Sequence, residues 1–369
     1  MAIFFRYLLL ICFLVIAIPS QASINIATIA PVSGSYATFG SEIINGVQAA
    51  VDDLNKQGGL LGEKINLIPV EDECNDSLAV STAQMIALNT NPEYKISAVI
   101  GPYCFNQFQR VTNTLAQAKI LQIMPTVINQ EYKKNIPNGL IKMLGYQEQQ
   151  AIDFFDYYKS TFNWMPAAII FDNQHIELAQ IIKNLFTDSH MEDKIHLYSF
   201  EEYQFDYDSI ADHAIQDGTL IAFILGSPEN VGYMTRELKS EKRKYIVFIN
   251  KYQIMPEFLD IAGQYADKCY FIGLPSLQDS PEFTETLVKL RLLGIDPEGL
   301  AVYGYSAVQL WAELVREANS FQYEALVNAL HNNAFNMGWG QLMFKNGQPT
   351  TSLHYMIYLY HDGEYTQVN

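Results

Sequence analysis

The sequence predicts an α/β protein built as two open lobes, each a doubly wound, mostly parallel sheet, with a hinge between them. Three observations point there. Short β-branched runs alternate with amphipathic helical stretches along almost the whole chain, the pattern of βα units that yields parallel sheets covered on both faces. The alternation restarts after Gly145, as a second lobe would. A chain of 369 residues also exceeds what one compact core usually accommodates.

At the start, Arg6 precedes the apolar run Tyr7 to Ile18, followed by Pro19 and the small-residue site Ser20-Gln21-Ala22. A basic flank, a short apolar segment and such an exit mark residues 1–22 as a secretory signal peptide cleaved after Ala22. The run is short for a bilayer. Cys12 follows Ile11 rather than a small residue, which argues against a lipid-anchored start. The mature chain is expected to be soluble and exported to the periplasm.

In the first series Ile24 to Ala30 reads as a strand. Gly40 to Gln57 reads as a helix with Ile43, Ile44, Val47 and Val51 on one face. Strands at Ile65 to Val70, Ser97 to Gly101 and Ile120 to Met124 alternate with helices at Ala79 to Leu88 and Phe108 to Ala118. The second series opens with a helix at Glu148 to Thr161. Strands follow at Ala167 to Phe171, Ile195 to Phe200, Leu220 to Gly226, Tyr245 to Asn250 and Cys269 to Gly273, with helices through Leu185 and from Pro228. Helices at Pro281 to Leu293, Leu300 to Asn319 and Tyr323 to Leu330 come next. Strand-like Ser352 to Tyr360 then leads to a hairpin signal at His361-Asp362-Gly363.

The net charge of −17 argues against nucleic acid and anionic membrane surfaces as partners, while leaving room for one basic residue inside an acidic cleft. In an exported chain disulfides persist. Without Cys12 three cysteines remain, so at most one internal bridge forms. Cys74 and Cys104 each follow a strand, and neighbouring parallel strands would bring those loops together; metal binding by the pair is the alternative, although no His or third Cys completes a site. Cys269 reads as a buried strand thiol. The chain contains no GxSxG elbow, HExxH, phosphate loop or dinucleotide fingerprint. EDECND lacks the Gly and distal Glu of an EF-hand. No enzyme, cofactor or metal is expected.

The stretch "IAPVSGSYATFGSEIINGVQAAVDDLNKQGGLLGEKINL" resembles the first strand, loop and helix of the branched-chain amino-acid-binding family of periplasmic solute receptors. "VEDECND", "AVIGPYC" and "VYGYSAVQLWAEL" resemble it too. The resemblance implies a type I periplasmic-binding-protein fold whose lobes, residues 23–145 with 274–344 and 146–273 with 345–369, close around a small solute. It implies crossings near Gly145, Gly273 and Phe344, a disulfide between Cys74 and Cys104, and a monomer that hands its solute to an ABC permease in the inner membrane.

The clamp for an amino acid departs from the family pattern. The hydroxyl residue expected after the second cysteine is Phe105, and the next expected hydroxyl aligns with Ile128, two positions after Thr126. The acidic residue for the ammonium aligns with Lys251. A buried Lys facing an ammonium costs several kcal/mol, so the expected solute is not an aliphatic amino acid but an apolar or aromatic carboxylate held by Lys251. Tyr36, Phe39 and Tyr103 are candidate aromatic walls and Phe105 a candidate cleft floor, each of which could instead be local packing; Lys251 reads equally well as a solvated lysine after a strand. His175, in the Asp172-Asn173-Gln174-His175 run, and Ser227 follow second-lobe strands on the cleft side. The alternative is a receptor-like sensory or regulatory module that binds a protein partner and transports nothing.

Overall fold

The computed structural model describes residues 23–89, 91, 94–104, 108–126, 137–144, 147–201, 206–241, 243–250, 256–274, 281–297, 299–337, 340–345, 348–350 and 354–368. The first series comprises β1 (Ser23–Ile29), α1 (Ala37–Lys56), β2 (Lys64–Val70), α2 (Asp76–Leu88), β3 (Ile96–Ile100), α3 (Phe108–Gln117), β4 (Leu121–Met124) and β5 (Leu140–Lys142). The second comprises α4 (Gln147–Phe162), β6 (Ala167–Asp172), α5 (Ile176–Asp188), β7 (Ile195–Phe200), α6 (Tyr207–Gln216), β8 (Ile221–Leu225), α7 (Pro228–Leu238), β9 (Ile246–Asn250), α8 (Pro256–Ala262) and β10 (Tyr270–Gly273). The chain ends with α9 (Thr284–Leu292), α10 (Ala301–Ala318), α11 (Tyr323–Asn332), β11 (Ala334–Met337), β12 (Gly340–Lys345), β13 (Gln348–Pro349), β14 (Met356–His361) and β15 (Glu364–Gln367).

Two large sheets result. One has the order β2-β1-β3-β4-β5, every pair parallel. The other runs β15-β14-β10-β9-β8-β6-β7, parallel from β7 to β10 and antiparallel at β14 and β15. The mixed α/β fold with mostly parallel sheets is the class the alternation predicts. Both sheets share one winding: the first strand of each series, β1 or β6, lies between its second and third. Each sheet therefore has a topological switch point beside its first strand, where open α/β sheets bind ligands at the carboxyl ends of their strands. A small antiparallel sheet of β11, β12 and β13 is absent from the sequence reading.

Central parallel strands such as β8, buried at every position, are continuous apolar runs because both faces are covered, while the edge strands β2 and β7 are partly exposed. Helix α1 packs on α10 closely enough that a Cβ at Gly46 would stand 1.8 Å from the Ala301 carbonyl oxygen. Helix α1 starts at Ala37, three residues before the predicted Gly40, since Ala37 N–H already bonds the Gly34 carbonyl at 3.1 Å. Among the described residues no helix is long and apolar enough to cross a membrane.

Cys74 and Cys104 are bonded, with Cα atoms 5.4 Å apart, and Cys269 is a buried free thiol. Here the sequence reading needs a correction: β2 and β3 are not neighbours, because β1 separates them. Two strand spacings amount to about 9.6 Å, so both loops bend inward over the end of β1 to meet.

Candidate functional site

The loop leaving β1 carries Ser33, Gly34, Ser35 and Tyr36 into the first turn of α1. Gly34 takes φ +73°, a left-handed conformation that glycine adopts without strain, and the turn delivers Tyr36 to the helix start. Beside it Phe39 is 1% exposed. Its ring stacks on Tyr103 at 5.5 Å and 15°, while the Tyr36 ring stands 6.1 Å from Phe39 and 6.3 Å from Tyr103. The three aromatics expected as cleft walls thus form one cluster. Burial, reinforced by the charges of Glu42 and Asp172, pushes the Tyr103 phenol far above its ordinary range.

The other switch point is the end of β6. Asp172, 4% exposed, closes the strand, and its Oδ1 accepts the Gln174 N–H at 3.0 Å and bonds His175 Nδ1 at 2.6 Å. The short Asn173–His175 turn is the reason: an aspartate preceding it bonds the backbone two residues on. From the loop after β1, in the other sheet's series, the Tyr36 hydroxyl donates to Asp172 Oδ2 at 2.6 Å. Burial alone would raise the Asp172 carboxyl, but His175, the Tyr36 hydroxyl and the Gln174 N–H outweigh it and hold the group below its ordinary range. The two switch points, one per sheet, are joined by this bond.

On the Tyr36 side of the bond lies a pocket of about 320 Å³ lined by Ser33, Gly34, Ser35, Tyr36, Glu73, Cys74 and Gln174. Its walls are mainly polar, with Glu73 the one charged side chain among the lining residues. Glu73 and Cys74 both have positive φ, +51° and +49°, where the disulfide loop folds over β1. Sequence reasoning missed Glu73 and the two serines, and it chose His175 over Asp172. The signal that could have found the serines and Asp172 is positional: the Gly-Ser loop and the Asp-Asn-Gln-His run each follow the first strand of a series, whereas Glu73 follows the second strand, β2, and carries no such signal.

The remaining candidates are placed as follows. Thr126 is buried beyond β4, and its hydroxyl has no hydrogen-bond partner among the described residues. Ser227, 2% exposed, caps α7 by accepting the Asn230 N–H at 3.3 Å. Phe105, Ile128 and Lys251 lie outside the described residues. What the described geometry offers is an anionic hydrogen-bond acceptor beside an aromatic cluster, at a junction between two sheets.

Residues 23–175 match the family described as periplasmic binding protein. A Leu/Ile/Val-binding protein of Rhizobium johnstonii is 24% identical over 314 residues, covering 84% of this chain and 84% of the relative. A leucine-binding protein of Thermotoga maritima has a similar solved structure, with TM-score 0.81, 17% identity and coverage of 94% of this chain and 98% of its own. A solute-binding protein of an ABC transporter from R. palustris, solved in complex with benzoate, gives TM-score 0.82 at 15% identity, covering 94% and 96%.

Proposed function

We propose that this chain, which belongs to the type I periplasmic binding-protein family of the branched-chain amino-acid receptors, is the extracytoplasmic solute receptor of an ABC importer. One observation carries the proposal: the switch points of the two sheets meet through Tyr36 and Asp172 beside a polar pocket. Residues 23–145 with 274–344 are one lobe and residues 146–273 with 345–369 the other. Hinge closure buries the solute, and solute binding favours the closed form that docks on an inner-membrane permease. The mature protein, beginning after Ala22, acts as a periplasmic monomer and binds rather than converts its solute, without a cofactor.

The solute is an apolar or aromatic carboxylate rather than an aliphatic amino acid. The ring cluster of Tyr36, Phe39 and Tyr103 supports an aromatic body, and Lys251 is the group that would hold the carboxylate. The benzoate-bound neighbour carries a ligand of that kind.

Native mass spectrometry of the exported protein, followed by denaturation, tests the proposal. A defined small molecule in one-to-one ratio supports a receptor and identifies its chemical class. No retained molecule, and no thermal shift with aromatic acids, amino acids or short amides, would favour a partner-binding sensory module. The burial of Phe39 among its own neighbours is the observation that favours that second reading.

A further inference from the structure

We propose that Asp172, oriented by His175, selects the solute by accepting a hydroxyl carried on an aromatic ring, an inference that rests on the receptor reading above. The two oxygens of Asp172 have different kinds of partner. Oδ1 is satisfied from its own loop, by Gln174 N–H and His175 Nδ1, and keeps those partners whatever the lobes do. Oδ2 bonds the Tyr36 phenol at 2.6 Å, and Tyr36 belongs to the loop between β1 and α1, on the other sheet. When the lobes part, Oδ2 alone loses its donor.

A largely buried carboxylate oxygen without a donor is costly. On closure, either Tyr36 returns to Oδ2 or the solute supplies the donor. A solute that offers a hydroxyl there satisfies the oxygen and gains a charge-assisted bond; a solute without one must close around Tyr36 or leave Oδ2 unpaired. A site built to bond a hydroxyl discriminates strongly against the analogue lacking it.

The chemistry of the donor follows from what stands there now. The group on Oδ2 is a phenol whose ring has Phe39 and Tyr103 as neighbours, so a hydroxylated ring of the solute would have to take the place that the Tyr36 phenol holds here. Asp172, bonded to Tyr36, and Glu73, in the pocket that Tyr36 also lines, would repel an anion, so the carboxylate of the solute points away from this end.

Titration calorimetry of the mature protein with benzoate, meta-hydroxybenzoate and para-hydroxybenzoate tests this. At least one hydroxybenzoate is expected to bind about tenfold or more tightly than benzoate. Asp172→Asn should bring the affinities within about threefold of one another, and Tyr36→Phe, which removes the competing phenol, should widen the preference. The proposal is overturned if benzoate binds as tightly as both hydroxybenzoates, or if the preference survives Asp172→Asn in a folded variant. Benzoate binding with no hydroxyl preference sinks only this inference and leaves the receptor reading standing. If none of the three acids binds, the aromatic-carboxylate reading falls and this inference with it.

Discussion

The Tyr36 hydroxyl reaches Asp172 Oδ2 at 2.6 Å across 136 positions of sequence, linking the loop after β1 to the end of β6. A hydrogen bond to an ionised group contributes about 1.5–3 kcal/mol. Tyr36→Phe should therefore lower the unfolding free energy by about that much in urea at neutral pH. Because the carboxyl of Asp172 is held below its ordinary value of 3.8, the contribution is fully present above that value. It is lost only as pH falls through the lower folded-state value. Wild type and Tyr36→Phe should differ at pH 7 and converge in stronger acid; equal stability at pH 7 would show that the bond contributes nothing.

The fold was legible and the site only half so, for one physical reason. A strand such as Ala167 to Phe171 announces itself because burial on both faces demands an unbroken apolar run. Helix α1 does so through its apolar stripe. These are local consequences of a nearby core. The Tyr36 to Asp172 bond depends on two loops meeting after two sheets are built, and no periodicity encodes that. The same limit explains the disulfide: the cysteines were identifiable, yet the intervening β1 was not, since strand order is a property of the assembled sheet. Ser227 reads equally well as a cleft hydroxyl or a helix cap until Asn230 is seen bonded to it.

Removing the Cys74–Cys104 bridge should weaken the fold measurably. The sequence separation is 30, and chain entropy assigns such a loop about 3–4 kcal/mol. Cys74→Ser with Cys104→Ser is expected to lose that much in urea, relative to wild type without reductant. A loss below about 1 kcal/mol would mean that the bent loops hold their shape without the bond.

Gly46→Ala tests the closeness of α1 and α10. An added Cβ would stand 1.8 Å from the Ala301 carbonyl oxygen and 2.6 Å from its carbon, both backbone atoms that cannot rotate away. Overpacking typically costs about 1–3 kcal/mol, and this contact lies at or beyond the upper end. A melting temperature within about 2 °C of wild type would show that the helices can slide apart at little cost.

Glu42 supplies a pH dependence of opposite sign to that of Asp172. Burial pushes its carboxyl up from 4.5 to about 7; the Leu300 N–H, bonded at 2.8 Å, opposes the shift, and the charge of Asp296 adds to it. Since the folded-state value exceeds the unfolded one, its contribution is fully present below pH 4.5 and is lost as pH rises to about 7. Glu42→Gln keeps an acceptor for Leu300 N–H and cannot ionise, so it should be more stable than wild type above pH 7, by at most about 3 kcal/mol. Asp72, raised to about 6 by burial, slopes the same way in both proteins, so the informative quantity is their difference. Urea unfolding of both from pH 4.5 to 8 should show a gap that opens between pH 4.5 and 7 and then stays constant; parallel curves would mean that Glu42 ionises freely in the folded protein.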